Sequence, residues 1–113
     1  MKSIEINGQT YPFRVGLRAI ENFEIRTKST LADFKGAVNH VLVLGHEGIK
    51  AGQRHLKEKE LDFEELRDAI DFDPKAYKNL SVLIMEELVP LTKEMMAIEE
   101  AIPEEEKKSE ESQ

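Results

Sequence analysis

The side chains able to do chemistry in this chain are few, and their spacing does not assemble a reactive centre. There are three histidines, His40, His46 and His55, and no cysteine. His40 and His46 lie six positions apart, which places them on different faces of a helix. A zinc-binding helix of the His-Glu-x-x-His type needs a second histidine four residues on, and His46-Glu47 is followed by Lys50 there. The three histidines therefore read as solvated surface residues. Asp71 and Asp73 imitate the start of a calcium loop, but Pro74 follows and the series of ligands stops. Gly45, Gly48 and Gly52 follow no strand, and Lys50 lacks the Gly-Lys-Ser/Thr setting of a phosphate cradle. Glu86 and Glu87 read as the wet side of a helix, and no serine has a base at recognisable spacing. The expectation is a non-enzyme, with no catalytic residue, no cofactor and no metal.

Composition narrows the partners in the same direction. The 113 residues carry a formal charge of −7, which argues against binding a phosphate backbone, because that needs clustered Lys and Arg. No nucleic acid is expected. The longest uninterrupted apolar run, Val41 to Leu44, is far below the ~20 residues that span a bilayer, so no membrane is expected. The first residues lack the apolar stretch of a secretory signal. Without cysteine there is no disulfide framework, which fits a reducing compartment.

The elements that would position any site are well marked. Ile4 to Val15 reads as a hairpin, with Asn7-Gly8 at the two central positions of a type I′ turn. That turn sets Ile6 opposite Gln9 and Ile4 opposite Tyr11. Ile4, Ile6, Tyr11, Phe13 and Val15 then share an apolar face, and Pro12 belongs at an edge. The remaining edge stays open to strand addition. A first helix is expected from Leu17 to about Thr27, with Leu17, Ile20 and Phe23 inward.

A central helix is expected from Leu31, either ending near Gly45, where glycines begin to weaken it, or continuing to Gly52, which the phase of Ile49 favours. A Thr30/Asp33 capping box opens it, and Leu31, Phe34, Val38, Val41, Leu42, Gly45 and Ile49 line one face. Its three glycines predict a neighbour packed closely on that side. Gln53 to Glu60 reads as a mobile loop. A short helix to Ile70 follows, capped by Asp62 and Glu65, with Leu61 stapled onto Leu66. Asp73-Pro74 starts the next, with Phe72 stapled onto Tyr77 and Leu80, Leu83, Ile84 and Leu88 inward. Pro90 should end or kink it.

Beyond Pro90, Leu91, Met95, Ile98 and Ile102 form a second stripe at steps of four, three and four. Two readings stand: the segment folds back on the core, or it is an amphipathic helix that docks a partner. The methionines Met95 and Met96 suit adaptable contacts. The expected fold class is α+β, mostly α: an N-terminal hairpin (residues 1–15) packed on a bundle of four to five helices. Residues 1–102 form one domain, and 103–113 form a disordered acidic tail.

This layout resembles the tail assembly chaperones of long-tailed bacteriophages and prophages. The likeness rests on Ile6-Asn7-Gly8 with Tyr11 and Phe13, on Ala19, Glu21 and Phe23 ahead of Thr30-Leu31, and on the Leu61-to-Ile70 segment. It covers roughly Ile4 to Leu88 and carries no catalytic signature. The resemblance implies a non-catalytic protein of the host cytoplasm that coats the tape-measure protein, helps recruit tail-tube subunits, and is absent from the finished tail. Such proteins can self-associate, so a homo-oligomer is among the states it implies, and many are also made in a longer frameshifted form. The alternatives are another phage structural part, such as a tail completion protein or head–tail adaptor, or a generic helical interaction module.

Overall fold

Asn7 and Gly8 both adopt positive φ, at 52° and 81°, and fold the first residues into a hairpin. Its strands are Lys2–Ile6 (β1) and Gln9–Phe13 (β2), paired in the expected register with Ile6 opposite Gln9 and Ile4 opposite Tyr11. Counting from the turn, Ser3 and Pro12 face each other as a pair without ladder hydrogen bonds, so the missing proline donor leaves no gap. Ile4, Ile6, Phe13 and Val15 are buried, and Tyr11 is half-buried. The computed structural model describes the backbone of residues 1–100 and the side chains of residues 1–95. The tail expected over 103–113 lies outside the described residues.

Four helices follow: Leu17–Thr27 (α1), Val38–His55 (α2), Phe63–Ile70 (α3) and Pro74–Glu100 (α4). With the hairpin they make a mostly helical α+β fold. Helix α2 is the hub, meeting β2, α1, α3 and α4. Its middle, Val43 to Ile49, is buried on all sides, as a helix enclosed by neighbours must be.

The glycines of α2 make that enclosure feasible. A Cβ added at Gly45 would lie 2.5 Å from Leu80 Cδ2, and one at Gly48 would lie 2.5 Å from the Phe13 ring. At Gly52 it would meet the Pro12 backbone at 2.8 Å. The hairpin seats directly on this glycine side, and the Arg14 amide donates to the Gly48 carbonyl at 3.1 Å. The helix therefore continues to Gly52 and beyond, as the phase of Ile49 predicts.

Several boundaries differ from expectation. The Thr30/Asp33 box forms, but it closes a single 3-10 turn, Leu31–Asp33, rather than opening α2. Phe34 then swings inward to meet the Phe23 ring edge-on at 5.9 Å, and Gly36 at φ 79° redirects the chain. Leu31 and Phe34 are thus not on α2, and Val38 at its start is exposed.

In α1 the buried set is Ala19, Ile20 and Phe23, while Leu17 in the first turn is exposed. Phe72 does not staple onto Tyr77: it is 94% exposed. Asp62 accepts from Glu64 N–H at 3.1 Å and caps α3, but no hydrogen bond from Glu65 completes a box. Asp73 caps α4 as expected, accepting from Ala76 N–H at 3.0 Å.

Pro90 does not end α4. Pro90 and Glu86, whose carbonyl loses its helical donor, are both exposed, so the unpaired carbonyl is open to solvent rather than buried. The Thr92 hydroxyl donates to the Leu88 carbonyl at 2.9 Å just beyond.

The segment expected to be a mobile loop is tied at both ends. Gln53 is buried, and its side-chain oxygen accepts from Leu61 N–H at 2.7 Å. Arg54 pairs with Glu60 at 2.8 Å.

Candidate functional site: a projecting helical seam

One cluster of titratable groups lies inside the bundle. Glu47 of α2 is fully enclosed. Its Oε2 accepts from Arg26 Nη1 at 2.6 Å and pairs with Lys50 Nζ at 3.1 Å, and its Oε1 accepts from Asn22 Nδ2 at 3.1 Å. Burial alone would push this carboxyl up. The hydrogen bonds from Arg26, Asn22 and Lys50 outweigh it and hold the carboxyl below its ordinary range.

His46 is buried beside it, contrary to the expectation of a solvated residue. A carbonyl only accepts, so its Nε2 donates to Leu61 O at 2.6 Å. Its Nδ1 then accepts from Arg26 Nη1 at 2.9 Å, which makes the ring neutral. Burial is the main reason its pKa is lowered, and the charges of Arg26 and Lys50 add to it. Arg26 also lies 4.7 Å over the Phe63 ring. The cluster thereby binds α1, α2 and α3 together, and both carboxylate oxygens and both imidazole nitrogens are engaged. It is a structural staple.

The other candidates from the sequence are placed as follows. His40 is half-buried, its ring edge-on to Phe23 at 5.3 Å, and only His55 is a surface histidine. Glu87 is half-buried rather than on the wet side: it accepts from Val15 N–H at 3.3 Å and joins Glu86 in pairing with Lys2. These two acids fasten the hairpin to α4. Among the described residues, no three His, Asp or Glu side chains are grouped as metal ligands. No described helix is long and apolar enough to cross a membrane.

Docking surface is more plentiful than chemistry. Along α4 the inward positions are Ala76, Leu80, Ile84 and Leu88, all buried, then Leu91, half-buried against the core. Met95 continues the same line but is 42% exposed. The body ends near Leu91, while the helix runs on to Glu100, about 14 Å further. Of the four residues singled out from the sequence, Leu91 therefore belongs to the margin of the core and Met95 to the projecting part. Ile98 lies on the helix with its side chain undescribed, and Ile102 lies outside the described residues.

Two further apolar surfaces escape sequence reasoning. Val82, Met85 and Val89, at steps of three and four, line the outer face of α4. A groove of about 270 Å³ separates this face from the open edge of β1, between Val82 and Ser3 and Glu5. A larger groove, about 470 Å³, lies where α2 and α4 begin and α3 runs beside them, lined by the apolar Val38, Leu42 and Tyr77 and by the charged Glu64, Arg67, Asp68 and Asp71. The spacing of Val82, Met85 and Val89 was legible, but α4 already had a complete inward stripe, so these residues read as surplus.

Comparison with protein-family models, curated proteins and solved structures finds no match for this chain.

Proposed function

We propose that this chain is a non-catalytic binding protein of the tail-assembly-chaperone kind, which shields helices of a tape-measure protein and helps bring tail-tube subunits to them. It acts in the cytoplasm of the host bacterium and is left out of the finished tail. The observation that supports the reading is the inward seam of α4, which outruns the body it packs on and exposes Met95. A helix-shielding protein requires apolar surface of this form, carried on an acidic exterior that keeps it dispersed.

The test is co-expression with the adjacent open reading frames, followed by affinity capture through a tag on this chain. The expected outcome is recovery of a long, largely helical protein together with a smaller tube-forming one. Gene order adds a second readout, because a chaperone gene lies between those of the tail tube and the tape measure. Capture of neither product, or incorporation of this chain into purified tails, would overturn the reading.

A further inference from the structure

The hairpin has two outer edges, and only one of them is closed. Ile6 and Gln9 flank the turn and exchange both of their main-chain bonds, as do Ile4 and Tyr11. Ser3 and Glu5 of β1, like Thr10 and Pro12 of β2, therefore turn their main-chain groups away from the other strand. On β2 this edge is blunted. Pro12 has no N–H to offer, and its backbone lies so close to α2 that a Cβ at Gly52 would meet it at 2.8 Å. On β1 nothing comparable protects the edge. Ser3 and Glu5 are exposed, and their N–H and C=O groups have no partner among the described residues.

The surface beside that edge is apolar. The groove of about 270 Å³ runs between Ser3 and Glu5 on one side and Asn79 and Val82 on the other, and Val82, Met85 and Val89 are all exposed. Strand and helix run in opposite senses, because Lys2 pairs with Glu86 and Glu87 while Ile4 and Glu5 share the groove with Asn79, Val82 and Leu83. A strand added to β1 would satisfy its main chain, and the layer beneath that strand would cover this face of α4.

The edge and the helix face are each complementary to themselves. Two β1 strands can pair antiparallel about a two-fold axis at Ile4. Ser3 of one copy then opposes Glu5 of the other, each such pair exchanging its main-chain bonds, and the two Ile4 residues meet on the axis. No like charges stand directly opposite in this register. Because Ile4 and Val82 line one groove, the axis passes close to Val82 and sets the two α4 helices antiparallel. Lys78 and Glu86, four residues to either side of Val82, are exposed and come opposite one another across the interface. Glu86, which holds Lys2 of its own chain at 3.2 Å, gains a second cation there.

We infer that two copies of this chain associate edge to edge, through β1 of each in one continuous four-stranded sheet and through the outer faces of α4 beneath it. The interface uses Val82, Met85 and Val89 and leaves aside the inward line of α4 that carries Met95. Its failure and the failure of the proposed function are therefore separate events.

The test uses the full chain. In sedimentation equilibrium over a concentration series, the mass should rise from 12.9 kDa toward twice that value. Met85→Glu should weaken the dimer by about tenfold or more, by setting a charge in the apolar layer. Ser3→Pro should abolish it, because the edge donor is lost in both copies while the position opposite Pro12 asks no bond of the hairpin. Both variants should melt with the wild type at dilutions where the wild type is monomeric. If Ser3→Pro lowers that dilute melt, Met85→Glu, on the surface of a helix, decides. The chain has no cysteine, so register can be read by cross-linking. A mixture of the Ser3→Cys and Glu5→Cys chains should oxidise to the mixed dimer in preference to either homodimer, because only that pair is directly opposed, with Cα atoms about 5.5 Å apart.

A wild type that stays monomeric throughout the series would overturn the inference, whether or not a strand of another protein takes the edge. A dimer that Met85→Glu leaves intact, or a mixture that cross-links no more readily than the single variants, would overturn it as well.

Discussion

Arg26 and Glu47 meet at 2.6 Å between α1 and α2, twenty-one residues apart in sequence, with the carboxylate entirely out of solvent. A buried ion is tolerable only while its partners stay in place. Arg26→Met should therefore destabilise the fold by about 3 kcal/mol, because Glu47 and His46 both lose their Arg26 hydrogen bond and Lys50 is left as the one cation on the buried carboxylate. The double replacement Arg26→Met with Glu47→Leu should recover most of the loss. Urea unfolding of both single variants and the double variant measures the coupling directly.

The same cluster makes stability fall with acid in two stages. His46 has a lowered pKa when folded, so below the ordinary value of 6.5 the unfolded chain takes up the proton first. Stability is complete above that pH and declines as pH falls toward the folded value. Glu47 is also lowered, so its contribution is present above the ordinary 4.5 and is lost as pH falls further. Urea midpoints at pH 8, 6 and 5 should drop for the wild type. His46→Gln should flatten the pH 8-to-5 part of the curve and leave the steeper loss below about pH 4.5.

Gly48 sits where the hairpin lands, and an added Cβ would come within 2.5 Å of the Phe13 ring. Alanine normally stabilises a helix interior by ~1 kcal/mol over glycine. Overpacking of this kind costs about 1–3 kcal/mol, so Gly48→Ala should destabilise on balance. Adding Phe13→Leu should relieve part of the clash. A Gly48→Ala variant melting above the wild type would show that the hairpin shifts freely on α2.

How far such features were readable before the fold was known depends on the range of the interaction. The Asn7-Gly8 turn, the hairpin register and the Asp73-Pro74 helix start are set by residues next to one another, and each forms as expected. The glycine side of α2 was legible too, because three glycines in a helical stretch imply a close neighbour. Some local expectations failed too, such as the Phe72 staple and the Glu65 half of the α3 capping box, but the larger failures came where distant residues take part. Leu31 and Phe34 keep helical phase with Val41, yet the inward pull of Phe23 on Phe34 and the positive φ of Gly36 break the helix between them. Nothing near His46 in sequence announces that Arg26 and Leu61 will enclose it. As for the proposed contact surface, its spacing was visible, but the division between Leu91 and Met95 depends on where the body ends.

Pro90 interrupts the ladder of α4 on an exposed side. Its tolerance comes from solvent and not from a compensating contact, so Pro90→Ala should restore the bond to the Glu86 carbonyl and raise the thermal midpoint. Proline in a helix interior costs ~3 kcal/mol or more, and part of that should be recovered, about 1 kcal/mol corresponding to 4–8 °C for a domain of this size. Amide exchange between Val89 and Lys93 should slow in the variant. An unchanged midpoint would mean that the helix past Leu88 contributes nothing to global stability.

Leu91 and Met95 lie on one line of α4 but on opposite sides of the body's edge, so the same truncation should have opposite consequences at the two positions. Leu91 is half-buried against the core, and Leu91→Ala should cost about 1–2 kcal/mol, less than the 2–5 of a fully enclosed leucine. Met95 is 42% exposed, and Met95→Ala should leave the melt within error while weakening capture of a helical partner. Thermal melts paired with affinity capture of the two variants separate the effects. If Met95→Ala lowered the melting point as much as Leu91→Ala, the seam would be completing this chain's own core, and no surface would remain there for another helix to cover.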